Sequence, residues 1–162
     1  MEDFGNAVLK RLIAGCGDAV QDTHARLGDA TARVAREHIG EVLAFVRDDP
    51  ELEFEMLTDV TAVDYLGEQP RFEVVYHFYS VAKNRRLRVK VRVPEDDPVV
   101  ASAVPYYASA NWMEREVFDL YGIRFEGHPD LRRILLYEEF EGHPLRKDYP
   151  KEKRQPLLGP RN

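Results

Sequence analysis

The sequence predicts a single domain of the α+β class, because strictly alternating strands and amphipathic helices occur together in one short chain. The chain has 162 residues, of which 44% are hydrophobic and 32% are charged, as in an ordinary globular domain. Residues 71–80 and 86–93 alternate apolar and polar side chains, which indicates strands with one wet face. Residues 39–46 instead place apolar side chains at helical spacing. We assign residues 1–150 to this domain and residues 151–162 to an extended, basic C-terminal tail.

The N-terminal region predicts a short helix followed by a segment without a clear pattern. Apolar side chains near one face of residues 3–14 indicate the helix, and the Gly-Cys-Gly at 15–17 is expected to end it. Residues 18–36 are ambiguous, with a possible short strand over 31–35.

A second helix and a strand complete the first half of the chain. The apolar stripe of this helix consists of Ile39, Val42, Leu43 and Val46. The Asp-Asp-Pro at 48–50 closes it, because the residue before proline is unfavourable in a helix. Residues 51–56 are predicted to form a turn, and the β-branched residues within 57–65 indicate a strand.

The two alternating strands are predicted to form a hairpin through residues 81–85. One face of the second strand carries four cations in a row, Arg86, Arg88, Lys90 and Arg92. A nucleic-acid site normally adds exposed aromatic side chains for stacking, and the net charge of -6 opposes such a partner. We therefore interpret this face as solvated, with cations that offset acidic residues elsewhere, and expect no nucleic-acid partner.

The second half of the chain predicts one more short element and a longer helix. After a breaker at 94–98, residues 99–104 suit either a strand or a short helix. Pro105 sets φ for a helix start. The helix itself is predicted over 108–121, with Gly122 as its natural end.

Charge is distributed unevenly along the chain. Residues 143–162 contain six basic and two acidic residues, so their net charge is +4 and that of residues 1–142 is -10. A basic, proline-containing end on an acidic body predicts an arm that lies on an acidic or polar partner. The alternative is a frayed, solvated terminus.

Composition also limits where the protein can be located in the cell and which cofactors it can bind. No apolar run approaches the roughly 18 residues of a membrane helix, and the acidic start does not resemble a signal peptide, so we expect a cytosolic location. Cys16 is the only cysteine, which excludes an internal disulfide and an iron–sulfur cluster held by cysteines of this chain alone.

Residues 111–150 contain the candidates for a functional site. His128 and His143 could bind a metal with a nearby aspartate, but each lies between Gly and Pro, where a histidine more often hydrogen-bonds to neighbouring backbone. Glu116 and Asp119 share one side of the predicted helix and could transfer protons, although such carboxylates more often pair with cations. The concentration of Trp, Tyr and Arg favours a partner surface instead.

This segment resembles the signature of the C subunit of proton-pumping NADH:quinone oxidoreductase, respiratory complex I. The resemblance is carried by residues 114–123 (EREVFDLYGI), Phe125, the Gly-His-Pro at 127–129 and the closing motif at 142–150 (GHPLRKDYP), and it is nearly unbroken from 111 to 150. It implies contact with the D subunit of the complex. The residues assigned to that contact are Trp112, Glu114, Arg115, Glu116, Asp119, Tyr121, Gly122, Phe125, Gly127, His128, Pro129, Arg132, Arg133, Gly142, His143, Pro144, Arg146, Lys147, Asp148 and Tyr149.

The resemblance further implies a two-layer α+β domain, with a mixed sheet packed on helices and an extended C-terminal segment. Members of the family lie in the hydrophilic arm of the complex, on the cytoplasmic side of the bacterial inner membrane, against the D subunit and near the B and I subunits. They bind no flavin or iron–sulfur cluster themselves, whereas the parent complex uses FMN, iron–sulfur clusters, NADH and quinone. The chain is thus expected to be a non-catalytic subunit of an electron-transferring, proton-translocating enzyme, associated with the membrane only through the complex.

Within such a contact, the basic pairs Arg132-Arg133 and Arg146-Lys147 are expected to pair with carboxylates of the partner. Two alternatives stay open at this point. One is the equivalent subunit of a related membrane hydrogenase or of a dehydrogenase with another electron donor. The other is a stand-alone, metal-dependent hydrolase that uses the histidines and carboxylates.

Overall fold

The computed structural model describes residues 6–155 of the chain. The helices in this range are α1 (Ala7–Cys16), α2 (Ile39–Asp48) and α3 (Ala110–Tyr121). The strands are β1 (Val20–His24), β2 (Ala30–Val34), β3 (Met56–Asp64), β4 (Phe72–Ser80), β5 (Arg85–Val93), β6 (Val99–Ala101) and β7 (Arg124–Glu126). Between residues 6 and 155 no helix has both the length and the apolar character needed to cross a lipid bilayer.

Five strands form one mixed sheet in the order β1-β2-β5-β4-β3. β2 and β5 are parallel, with Ala30 opposite Leu87, and the other neighbouring pairs are antiparallel. Because a tight turn cannot join parallel neighbours, the chain passes from β2 to β5 through α2 and the β3–β4 pair. β6 and β7 form a separate parallel pair. The predicted α+β class and mixed sheet are confirmed.

One face of the five-stranded sheet forms the core together with the helices. Tyr76 and Phe78 of β4 are buried there, as their alternation predicted. The centroid of the Phe78 ring lies 5.5 Å from the ring centroid of Tyr107 and 6.4 Å from that of Phe54. α1 and α2 contribute Leu12 and further aliphatic side chains to the same cluster.

The opposite face carries the predicted row of cations on β5. Lys90 Nζ lies 2.8 Å from the carboxylate of Glu73, and Arg92 Nη2 lies 2.8 Å from that of Glu68. The prediction that these cations offset acidic residues is therefore confirmed for both. Arg86 differs, since within residues 6–155 it has no carboxylate partner.

The first helix is confirmed from Ala7 onward. Asn6 Oδ1 accepts the N–H of Val8 at 3.0 Å, which caps the helix, and Gly17 follows its last residue as predicted. Residues 3–5, where the helix was predicted to begin, lie outside the described residues.

Two strands are absent from the sequence prediction, and one helix begins later than predicted. β1 has the polar sequence VQDTH, and a shift in its register beside Asp22 interrupts the pairing with β2. β7 has only three residues, too few for a periodic pattern. α3 begins at Ala110 rather than 108 because residues 105–109 form turns, in which the hydroxyl of Ser109 donates to the carbonyl of Leu57. Of the two options for 99–104, the structure has the strand β6.

After β7 the chain forms neither helix nor strand up to residue 155, and we call residues 127–155 the C-terminal segment. Arg71, with a side chain 2% exposed, fastens it to the sheet. Its guanidinium donates to both oxygens of Asp64 at 2.8 Å and to both oxygens of Asp148 at 2.7 and 3.0 Å. Residues 156–162 of the predicted tail lie outside the described residues, so the predicted boundary at 150 stays a prediction.

Arg71→Leu is expected to lower the free energy of unfolding by about 3–5 kcal/mol, because it leaves the carboxylate of Asp64 buried without its cation. Urea denaturation measures the loss. Arg132→Leu is the matched control, since Arg132 pairs with Asp130 at the surface, and there we expect a change below about 1 kcal/mol. Equal losses in the two variants would contradict the role assigned to Arg71.

Candidate functional site

Helix α3 and the C-terminal segment contain the predicted site residues, and Gly122 allows them to meet. Gly122 follows α3 with φ of 76°, the left-handed conformation that ends many helices. A Cβ at this position would lie 2.5 Å from Nε2 of His143 and 2.8 Å from Nη2 of Arg146. Glycine is therefore required both by the backbone conformation and by the close approach of the closing motif.

The closing motif satisfies the last carbonyl groups of α3, which a helix cannot satisfy by itself. His143 Nδ1 donates to the carbonyl of Asp119 at 2.9 Å. The N–H of Leu145 donates to the carbonyl of Leu120 at 3.1 Å, and Nε of Arg146 donates to the carbonyl of Tyr121 at 2.6 Å. The Gly-His-Pro-Leu-Arg sequence thus acts as a C-terminal cap for α3.

Asp119, in the last turn of α3, binds the C-terminal segment through its carboxylate. Oδ2 accepts three successive backbone N–H groups, from Ile134 at 3.1 Å and from Leu135 and Leu136 at 2.9 Å each. Oδ1 accepts Nη1 of Arg133 at 2.7 Å. Burial alone would raise the pKa of Asp119, but these donors outweigh it and hold the pKa below its ordinary value. The buried carboxylate therefore stays charged.

Arg115 joins α3 to the same segment from one turn earlier. It donates from Nε to the carbonyl of Arg132 at 3.2 Å and from Nη2 to that of Arg133 at 3.3 Å. Its guanidinium also lies over the ring of Trp112, 5.1 Å from the centroid. Arg115 consequently positions both the segment and the exposed tryptophan.

Glu114 hydrogen-bonds to the loop that follows β6 rather than to the C-terminal segment. Its Oε1 accepts the N–H of Ala103 and its Oε2 accepts the hydroxyl of Ser102, both at 2.6 Å. The residue is fully buried, and burial raises the pKa of Glu114 to about 7, against the opposing effect of these two donors. No cation compensates this carboxylate among the described residues.

The two Gly-His-Pro turns bind backbone groups, as the sequence predicted. His128 accepts the N–H of Asp130 at Nδ1, 3.0 Å away, and donates from Nε2 to the carbonyl of Asn111 at 3.0 Å. For His143, burial lowers the pKa, so its ring is neutral where it donates to α3. Within the part of the chain that the structure describes, no group of three or more His, Cys, Asp or Glu residues is arranged to hold a metal ion.

The closing motif also reaches the sheet beyond α3. The N–H of Lys147 donates to Oδ2 of Asp64 at 2.8 Å, next to the ion pair between Asp148 and Arg71. The hydroxyl of Tyr149 accepts from Nε2 of Gln155 at 2.8 Å. The closing motif is therefore bound both to the end of α3 and to the five-stranded sheet.

The predicted contact residues divide into an inward and an outward set. Arg133 and Arg146, which were expected to pair with carboxylates of a partner, instead bind groups of this chain. Buried residues of the prediction are Glu114, Arg115, Asp119 and Phe125. Half-buried ones are Tyr121, Gly122, His128, Arg133, His143, Pro144, Arg146 and Tyr149, and exposed ones are Trp112, Glu116, Gly127, Pro129, Arg132, Gly142, Lys147 and Asp148.

Two exposed leucines add apolar surface that the sequence analysis did not include. Trp112 is 63% exposed, Leu135 is 61% exposed and Leu145 is 49% exposed. We call Trp112, Glu116, Arg132, Leu135 and Leu145 the α3 face. The apolar run at 134–136 was the available signal, but without periodicity it does not tell which of its side chains points outward.

Asp119→Asn is expected to destabilise the chain by about 2–4 kcal/mol at neutral pH, because an amide cannot accept from all four donors. Since the pKa of Asp119 lies below its ordinary value, its stabilising effect is present at neutral pH and is lost as pH falls through the folded-state pKa. Thermal unfolding as a function of pH should therefore show a weaker acid dependence in the variant. Asp130→Asn is the control, and an Asp119→Asn variant as stable as wild type at neutral pH would refute this role.

Glu114→Gln is expected to stabilise the chain at pH values above 7. Its pKa rises from 4.5 to about 7 on folding, so between these values the folded state holds a proton that the unfolded state has lost. Wild-type stability therefore falls as pH rises through that window. Glutamine removes the charge, and its Oε1 can accept the N–H of Ala103 while its Nε2 donates to the hydroxyl oxygen of Ser102. We expect a gain of about 1–3 kcal/mol at about pH 8 and none at about pH 4.

Urea denaturation at these two pH values tests the Glu114 prediction. The exposed Glu116 supplies the control variant, Glu116→Gln, which should show no such difference. If Glu114→Gln lost stability at the higher pH, its carboxylate would have to be charged and stabilising in the folded chain.

Comparison with known proteins gives consistent matches. A family model described as "Respiratory-chain NADH dehydrogenase, 30 Kd subunit" matches residues 32–155. The C subunit of NADH-quinone oxidoreductase from Trichlorobacter lovleyi is 56% identical over 135 residues, which cover 82% of each chain. The corresponding protein of Geobacter sulfurreducens is 46% identical over 162 residues, which cover 98% of each chain.

Two solved structures have the same fold. The trypsin-resistant fragment (1-134) of Nqo5 superposes with a TM-score of 0.67 at 35% identity, covering 76% of this chain and 96% of the fragment. A chain of the membrane-bound sulfane sulfur reductase, an archaeal respiratory membrane complex, superposes with a TM-score of 0.78 at 25% identity, covering 93% of this chain and 88% of its own. With the family match and these identities, the chain belongs to the 30 Kd subunit family of respiratory-chain NADH dehydrogenase, which includes the C subunits of NADH-quinone oxidoreductases.

Proposed function

We propose that this chain is a structural, non-redox subunit in the peripheral arm of an NADH:quinone oxidoreductase, an enzyme that passes electrons from NADH to quinone and translocates protons. The observation that carries the proposal is the identity of 46% to 56% with the C subunits of NADH-quinone oxidoreductases over most of the chain. In this role the chain lies on the cytoplasmic side of the bacterial inner membrane and is attached to it only through other subunits.

The hydrogen bonds that the polar motif residues make to backbone groups support a structural role. Asp119, Arg115 and His143 each bind backbone groups of the C-terminal segment or of α3. A catalytic side chain must instead offer a free proton-transfer or ligand-binding atom to a substrate. In the proposed assignment, FMN, the iron–sulfur clusters, NADH and quinone are all bound by other subunits.

We assign docking on the D subunit to the α3 face, with the B and I subunits nearby. Trp112, 63% exposed, and Leu135, 61% exposed, present large apolar side chains at the surface. Protein interfaces are enriched in Trp and Arg, and a few such residues carry most of the binding energy. Arg132 and Glu116 add exposed charges to this face, and charged groups at an interface contribute specificity more than affinity.

A second candidate keeps the fold and changes the parent enzyme. The likeness to a chain of the archaeal sulfane sulfur reductase, at 25% identity, supports this candidate. The parent enzyme would then be a related membrane hydrogenase or a dehydrogenase that uses another electron donor. Mass spectrometry of the subunits that co-purify decides between them, because only the NADH-linked enzyme brings an FMN-containing input module. A stand-alone hydrolase has less in its favour, since His128 and His143 hydrogen-bond to backbone carbonyls.

Co-expression with the D subunit tests the docking assignment. Trp112→Ala and Leu135→Ser are each expected to weaken the complex about tenfold or more, because they remove apolar anchors of the interface. Leu66→Ser, at a leucine that is 50% exposed in the turn between β3 and β4, is the matched control.

The expected result is retained binding for Leu66→Ser and reduced binding for the two variants of the α3 face, with melting temperatures near that of wild type. Full binding of both variants would refute the assignment of this face. Arg133→Glu and Arg146→Glu are unsuitable probes, because these arginines hold the C-terminal segment in place.

A further inference from the structure

Three loops meet at the end of the five-stranded sheet where β2 and β5 begin. Since these strands are parallel and in register, the tips at 25–29 and 81–84 lie side by side. Met56 begins β3 opposite Tyr79 and so lies at the same end. Lys83 Nζ lies 3.0 Å from the carboxylate of Glu53, which joins two of these loops.

The loops at 25–29 and 81–84 and the first residue of β3 each expose a large apolar side chain. Leu27 is 104% exposed relative to a reference leucine, Val81 is 59% exposed and Met56 is 48% exposed. We call Leu27, Val81 and Met56, with the neighbouring Arg26, Arg85 and Arg86, the hairpin end. It consists of other elements than the α3 face.

The backbone conformation and the exposure of Leu27 are both energetically unfavourable in the isolated chain. It adopts φ of 58° and ψ of 21°, a left-handed conformation that suits glycine or asparagine and carries a steric cost for leucine. Its side chain is also fully exposed, so no packing within the described chain offsets that cost. A residue held in such a conformation and presented to solvent is typical of a binding loop.

The arginines of the hairpin end lack anionic partners. Within the described residues, the guanidinium groups of Arg26, Arg85 and Arg86 make neither an ion pair nor a hydrogen bond, although that of Arg86 lies 6.0 Å from the ring centroid of Tyr79. Arg85 and Arg86 border a depression of about 440 Å³ whose other wall includes Gly28. The cations thus surround the base of the loop that carries Leu27.

The carboxylates of the same loops cannot neutralise them, because each is already engaged. Asp29 lies 3.7 Å from Arg88, and Glu53 is paired with Lys83. Glu55 accepts the N–H of Val81 at 2.8 Å. A surface complementary to the hairpin end is one that offers both anions and an apolar pocket.

We propose that the hairpin end is a second docking surface, and that its partner is a protein subunit of the same assembly with an apolar pocket rimmed by carboxylates. This inference rests on the proposed function, which places the chain in a multi-subunit complex. Arginine and methionine are enriched in protein interfaces, and the arginine fork matches a carboxylate in two hydrogen bonds. We favour a protein over an anionic lipid surface because the proposed function places the chain in a multi-subunit assembly, and the identity of the cross-linked adduct described below separates the two.

The assembled complex, purified through an affinity tag on this full-length chain, provides the test. A photoreactive amino acid is placed at position 27 and, as control, at position 66, an exposed leucine in the turn at the opposite end of the sheet. We expect one dominant protein adduct from position 27, identified by mass spectrometry as a subunit of the complex, and no equivalent adduct from position 66.

Charge reversal tests the anionic character of the partner. Arg85→Glu combined with Arg86→Glu is expected to lower the yield of this adduct about fivefold or more, because like charges would face each other. Leu27→Asn separates docking from folding, since asparagine tolerates the left-handed conformation. This variant should keep or raise the melting temperature of the isolated chain and reduce its retention in the complex.

The outcomes also separate this inference from the proposed function. Recovery of the complex with only lipid adducts, with equal adducts at both positions, or with no effect of the charge reversal overturns the hairpin-end proposal and leaves the proposed function standing. Recovery of the tagged chain without any other protein of the complex overturns both.

Discussion

The path of the C-terminal segment depends on the polar groups at the end of α3. A helix ends with carbonyl groups that lack partners, and burying them unpaired is costly. Here Gly122, His143, Leu145 and Arg146 supply the missing donors. The carboxylate of Asp119, in turn, accepts hydrogen bonds from backbone N–H groups of the segment. A stretch without helix or strand thereby obtains the backbone hydrogen bonds that a sheet would otherwise provide.

In the proposed function, this arrangement gives a motif rich in charge an indirect role at the interface. The charged groups of Asp119, Arg133 and Arg146 are occupied inside the chain, whereas the large apolar side chains of Trp112 and Leu135 are exposed at the surface. Fixing a surface before binding lowers the entropy lost on association. The motif residues therefore act as positioning residues for the α3 face.

Much of the fold was predictable because it rests on local periodicity. The alternation in β4 and β5 and the stripe of α2 determined the type of each element, and their bounds agree with the structure to within about one or two residues. β1 was not predictable, because its sequence is polar and its pairing is irregular. The direction in which the motif side chains point was also not predictable from the sequence, because it depends on long-range contacts. Arg71 pairs with Asp148, 77 residues away, and no sequence pattern marks such a pair.

We infer that this chain holds its own C-terminal segment in place before any partner binds. Hydrogen–deuterium exchange on the free, full-length chain tests it most directly at the N–H groups of Ile134, Leu135 and Leu136. We expect these amides to exchange slowly in the free chain, at rates similar to those of the core of the sheet, because Asp119 already binds them. Rapid exchange in the free chain, with protection appearing only when the D subunit is bound, would contradict it.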